Sequence, residues 1–140
     1  MAPITSSLVL SRKLDSLRRC LDRVADKCPA TVTALEQDAD VQDIVVLNLN
    51  RAVQLCVDMA THTLAAHSGP VPETMSGAFQ HMADAGLLDA AVTERLRTAV
   101  GFRNIAMHSY DTINWAIVHA IATRHLDDFR AFAAAVLKTR

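Results

Sequence analysis

Apolar positions recur along the first part of the chain at alternating spacings of four and three: Leu10, Leu14, Leu17, Leu21, Val24 and Cys28. That period keeps one face of a helix apolar and predicts a first helix over about residues 7–28, with Ser6 or Ser7 available as N-cap and Pro29 as its stop. A second, longer helix is expected from Thr31 or Asp38 to Ala66, because no glycine or proline interrupts the stretch before Gly69 and Pro70. The breakers in Ser68-Gly69-Pro70-Val71-Pro72 then make a loop. Glu73 to Ala85 reads as a short helix stopped by Gly86, and Asp89 as the cap of a fourth helix running toward Phe102. Asn114 can cap a last helix, in which Val118, Ile121, Ala122, His125, Phe129, Phe132 and Val136 keep helical spacing almost to the C-terminus.

About five helices joined by short connections describe an all-α antiparallel bundle with a shorter helical pair inserted. Composition agrees: aromatics are 4% of the chain, and a sheet would want more of them together with β-branched residues. At 140 residues there is material for one core, so residues 1–140 are taken as a single domain. Fourteen basic against fifteen acidic residues leave a formal charge of −1, so no whole-protein field draws in nucleic acid and any RNA contact must be local. Cys20, Cys28 and Cys56 are odd in number and lack zinc-ligand spacing, which fits a reducing cytoplasm. The apolar run Leu8 to Leu10 is followed at once by Arg12 and Lys13, too short for a signal-peptide core, and no stretch approaches the roughly 20 apolar residues of a membrane span. A soluble, cytoplasmic protein is the expectation.

Two polar groupings stand out from this apolar background. On the second helix, steps of 100° place Asn48, Arg51, Asp58 and His62 on one narrow face. That face is either a solvated one, with an Asp58/His62 pair at i,i+4, or the lining of a groove in which Arg51 contacts phosphate and Asp58 orients an imidazole. The other grouping is Arg103-Asn104-Ile105-Ala106-Met107-His108-Ser109-Tyr110. A guanidinium that stays charged binds phosphate and an imidazole titrating near neutrality moves protons, a pairing suited to metal-free phosphodiester chemistry. Five residues separate Arg103 from His108, about 140° on a straight helix, so a shared site requires a break in the helix or a second subunit. Turn-forming Ser109-Tyr110-Asp111 offers a break. Of the remaining histidines, His67 lies beside the breaker-rich loop and His81, His119 and His125 sit on helices without a second titratable partner at useful spacing, so all four read as structural or exposed. Glu36, Glu73 and Glu94 are each without a histidine three residues on, which excludes a di-iron bundle, and neither a Gly-rich phosphate loop nor a serine elbow is present. No metal or cofactor is therefore expected.

The string Gly101-Phe102-Arg103-Asn104-x-x-x-His108-x-Tyr110, together with Asn48 to Ala60 on the long second helix, resembles the HEPN fold (higher eukaryotes and prokaryotes nucleotide-binding). Within it the chain is most similar to HepT-like toxins encoded beside minimal nucleotidyltransferase (MNT) antitoxins. Met107 departs mildly, standing where a smaller aliphatic residue is expected. The resemblance implies a helical homodimer whose motifs meet at a cleft and cleave RNA without metal. It places Arg103 and His108 at the catalytic positions, Asn104 at the polar position after the arginine, and Tyr110 at the tyrosine to which the antitoxin transfers AMP from ATP. The alternative is a non-catalytic module that binds a nucleotide or a partner, with Arg103 and His108 as a phosphate clamp only.

Overall fold

The computed structural model describes residues 4–139, with side chains described from Leu8 onward. Among the described residues, seven helices and one 3₁₀ turn follow one another: α1 (Ile4–Lys27), α2 (Val32–Glu36), α3 (Ala39–Ala66), α4 (Met75–Asp84), α5 (Ala90–His108), the turn Tyr110–Thr112, α6 (Trp115–Arg124) and α7 (Leu126–Lys138). The all-α class is as expected, but the helix count exceeds five because two apolar patterns that look continuous are each cut once.

The first cut falls between Thr31 and Ala39. Thr31 accepts a hydrogen bond from Ala34 N and caps α2, while Asp38 accepts one from Val41 N and caps α3. The two starting points suggested by the sequence are thus the caps of two different helices. The second cut is at His125, whose N–H still bonds back to Ile121 O while Asp127 and Asp128 fill the first turn of a new helix. Acidic side chains complement the positive end of a helix dipole, so this pair marks a start that the apolar spacing conceals. Ser6 and Ser7 lie inside α1, which begins at Ile4, and not ahead of it.

Elsewhere the local signals act as read. Asp89 and Asn114 each accept hydrogen bonds from the backbone of the helix they precede; so does Thr74, and α4 starts after it and not at Glu73. Gly86 ends the α4 segment with φ of 74°, a left-handed conformation that a side chain would strain.

Helix α3 is the axis of the bundle, packing against α1, α2, α4, α5, α6 and α7. Its buried residues run from Val45 and Leu49 through Val53, Cys56 and Ala60 to Leu64. One contiguous core results, and its centre includes an edge-to-face pair, Phe79 on α4 with Phe132 on α7, ring centroids 5.5 Å apart. The three cysteines are free, and burial raises all three thiols above their usual pKa, which marks them as packing residues and not nucleophiles. His119 is buried, with Nε2 2.9 Å from Pro29 O, tying α6 to the α1–α2 connection. His125 does have a titratable neighbour, Asp128 at 3.6 Å, which also binds Arg95 of α5 at 2.6 Å. No helix among the described residues is long and apolar enough to cross a membrane.

Candidate active site at the end of helix α5

Asp89 starts α5 by accepting from Ala91 N and Val92 N, and the buried positions Val92, Leu96, Ala99, Val100, Phe102 and Ala106 hold the helix onto the bundle. Helical bonding continues through the whole motif to His108, with Ser109 N donating to Ile105 O at 2.7 Å. The chain breaks only at Ser109, φ −147° and ψ 53°, and the 3₁₀ turn that follows is fastened by Thr112 Oγ1 donating to Ser109 O at 2.8 Å. Buried Ile113 anchors its far end. The bend therefore exists, but after the histidine. Arg103 and His108 stay on one unbroken helix, about 140° apart, and a single chain does not bring them together.

The two residues are held very differently. Arg103 is half-buried: Nη2 donates to Gln54 Oε1 at 3.1 Å, Nη1 approaches Met75 Sδ at 3.6 Å, and Nε is buried without a partner among the described residues. Gln54 is itself fixed, donating through Nε2 to Asp58 Oδ1 at 2.9 Å, and Asp58 pairs with Lys13 of α1 at 3.4 Å. A chain of four side chains from three helices thus orients one guanidinium, leaving most of its five N–H donors uncommitted. His108 and Asn104 are exposed, as is Met107, which touches Asn50 Nδ2 through its sulfur at 3.9 Å.

Tyr110 is turned back onto α3. Its hydroxyl donates to Asp43 Oδ1 at 2.6 Å, the length of a charge-assisted bond, and its ring meets Trp115 edge-on at 6.0 Å. Burial, and then the hydrogen bond and charge of Asp43, raise the phenol pKa above its usual 10.0, so the group is a neutral phenol.

The face of α3 that meets the motif is not the one the sequence suggested. Asp43, Asn50 and Gln54 lie on a stripe rotated by about 95° from the centre of the Asn48, Arg51, Asp58 and His62 set. Asn48 is buried, donates to Ile44 O and contributes to the wall of the groove onto which Arg51 opens. Asp58 serves Gln54 and Lys13 and does not orient an imidazole; no Asp58–His62 pair forms, and His62 is half-buried on α3. Arg51 opens onto a groove of about 630 Å³ between α1 and α3. Arg19 and Arg23 of α1 line that groove with it, and Gln54 belongs both to the groove wall and to the Arg103 clamp. Arg19 and Arg23 carry a legible signal, being four apart on the polar side of α1, but the charge balance of the whole chain hides it. Asp43, Asn50, Gln54 and Lys13 carry none, because their role depends on which helix packs against which face. Among the described residues no three His, Cys, Asp or Glu side chains converge in a way that would hold a metal ion.

Comparison with known proteins gives the family. The family model for Ribonuclease HepT-like proteins matches residues 17–136. The mRNA nuclease HepT of Shewanella oneidensis is 31% identical over 124 residues, 89% of this chain and 92% of that protein. A solved toxin–antitoxin structure with AMP-PNP aligns with a TM-score of 0.87 at 30% identity, covering 94% of this chain and 98% of the other. The tri-AMPylated HEPN toxin of S. oneidensis in complex with its MNT antitoxin aligns at 0.86, again at 30% identity with 94% and 98% covered. With the match reaching all seven helices, the clamped Arg103, the exposed His108 and the tethered Tyr110 are those of a chain that belongs to the HepT-like ribonuclease family.

Proposed function

We propose that this chain is the toxin of a toxin–antitoxin pair: a cytoplasmic endoribonuclease that cuts RNA as a homodimer, without a metal ion, and is silenced when an MNT-type nucleotidyltransferase attaches AMP from ATP to Tyr110. The observation that carries this reading is the end of α5, which presents a clamped guanidinium, an exposed imidazole and a phenol within eight residues.

In the reaction, His108 takes the proton from a ribose 2′-hydroxyl, the oxygen attacks the adjacent phosphorus in line, and the 5′-oxygen leaves. The products are a 2′,3′-cyclic phosphate and a free 5′-hydroxyl, which takes up a proton on departure. Arg103 faces the phosphoryl oxygens, where its clamp holds the positive charge ready before charge builds up. Positioned proton transfer is worth about 10² to 10⁴ in rate and a preorganised charge donor about 3 kcal/mol of barrier, enough for a slow, regulated nuclease. Because one helix cannot turn Arg103 and His108 to the same phosphate, Arg103 of one subunit acts with His108 of the other. The groove bearing Arg19, Arg23 and Arg51 takes the flanking phosphates, a local basic strip on a near-neutral protein. Asn104, exposed beside Arg103, contacts the substrate.

The test is RNA cleavage in excess EDTA: wild type cuts, His108→Ala and Arg103→Ala do not, and the cut ends carry cyclic phosphate. Cutting that survives both substitutions sinks the assignment. Intact-mass measurement after incubation with the co-encoded nucleotidyltransferase, ATP and Mg²⁺ should show added AMP that disappears in Tyr110→Phe.

A further inference from the structure

Asp43 has no place in the nuclease chemistry, and no motif in the sequence surrounds it. Yet its carboxylate is 2.6 Å from the one atom of this chain that the transfer of AMP alters, the Tyr110 oxygen. We propose that Asp43 is the proton acceptor for the first adenylylation of Tyr110, so that the modified protein supplies a catalytic group for its own modification. This rests on the reading that a nucleotidyltransferase adenylylates Tyr110.

The chemistry requires an acceptor. Tyr110 is a neutral phenol in this setting, and a neutral phenol is a poor nucleophile toward phosphorus until its proton is leaving. Asp43 Oδ1 already accepts a short hydrogen bond from that O–H, within the reach a general base needs, and no other side chain is hydrogen-bonded to the hydroxyl among the described residues. Trp115 fixes the ring from the side, and the 3₁₀ turn fixes the backbone beneath it, so the oxygen is presented in one orientation.

Tyr110 Oη attacks the α-phosphorus of a nucleoside triphosphate held by the partner. The Oη–P bond forms as the bond from that phosphorus to the bridging oxygen breaks, and pyrophosphate leaves with the bonding pair. The phenolic proton passes to Asp43 and from there to water. The product is a tyrosyl phosphodiester with one negative charge. It can no longer donate to Asp43, and its anion now faces a carboxylate, so the contact that held the tyrosine becomes repulsive. The nucleotide is pushed off α3 and toward the cleft. Any later AMP joins a ribose hydroxyl of the nucleotide already attached, an oxygen Asp43 does not touch.

That last point separates a proton acceptor from a structural prop. Asp43→Asn keeps the shape and a hydrogen-bond acceptor but is a far weaker base. Intact-mass time courses with the nucleotidyltransferase, ATP and Mg²⁺ should show the first addition slowed about 10²-fold or more, with later additions at the wild-type rate. The mass spectrum then holds unmodified and fully modified protein with little between. RNA cleavage by the unmodified variant should match wild type, which shows that it is folded and dimeric. A first addition at the wild-type rate overturns the role of Asp43 alone. Equal slowing of every addition assigns Asp43 to partner docking and overturns it too. Wild type that gains no AMP overturns the adenylylation reading, and this proposal with it.

Discussion

The two ends of the motif are built to opposite specifications. Arg103 sits half-buried at the end of a four-residue relay through Gln54, Asp58 and Lys13, whereas His108 stands exposed on the last turn of the same helix, with Tyr110 just beyond the break. The difference teaches how labour is divided. A charge donor is most useful when it is fixed before the reaction, because nothing then has to reorganise as charge develops. In the proposed function a proton carrier has to be completed by something else, a second subunit, and the same open end is where the proposed modifying enzyme would reach.

Substitution of the two proposed catalytic residues should separate the ends most strongly. Arg103→Ala and His108→Ala should each lower single-turnover cleavage by about 10² to 10⁴. Thermal melting should then distinguish them: His108→Ala stays within about 0.5 kcal/mol of wild type as an exposed change, while Arg103→Ala also loses its packing and hydrogen bond. Mixing these two inactive variants sharpens the contrast. If Arg103 and His108 act across the dimer, random exchange of subunits restores about a quarter of wild-type activity, since half the dimers carry one intact site of two. No recovery after verified exchange would place both residues in one chain's site.

A smaller effect is expected from loosening the clamp alone. Gln54→Ala removes one hydrogen bond to the guanidinium, worth about 1 kcal/mol, so cleavage should fall about fivefold while AMP attachment to Tyr110 is unchanged. Slowing of both would mean that the two ends are mechanically coupled. For the groove, Arg19→Ala and Arg23→Ala should weaken RNA binding and each lower the slope of log affinity against log salt by about 0.7, leaving the rate at saturating RNA unaltered. A change in that rate without a change in slope would move both residues out of the RNA path.

The loose end has its own titration. Tyr110 is the only tyrosine in the chain, so tyrosinate absorbance reports it alone. Its folded pKa is raised, so the stabilisation linked to it is whole below the unfolded value near pH 10 and is lost as pH climbs beyond it. Wild type should ionise later than free tyrosine, and Asp43→Asn should bring ionisation back toward pH 10. Unchanged titration in the variant would leave burial as the whole cause.

Much of the molecule is legible in the order of its residues. The caps Asp38, Asp89 and Asn114, the stop at Gly86 and the string from Gly101 to Tyr110 are local signals, and local signals survive without tertiary context. The separation of Arg103 from His108 on one helix is also a local fact, and it already calls for a second subunit or a break. Two kinds of feature are not legible. Continuous apolar spacing hides the breaks at Gln37 and His125, because a helix can end and restart without losing its period. The stripe of α3 that meets Arg103 and Tyr110 lies about a quadrant away from the centre of the Asn48, Arg51, Asp58 and His62 set, because a helix surrounded by six others has several occupied sides, and periodicity yields only one average direction.

By itself, then, the sequence determined the helical class, the family and the string in which the proposed reacting side chains stand, since these depend on residue type and near-neighbour spacing. Only the tertiary structure decided what holds them: Gln54 behind Arg103, Asp43 against Tyr110, and Arg19 and Arg23 beside Arg51. Each of these pairings joins residues from different helices, and which faces meet is set by packing the whole core at once.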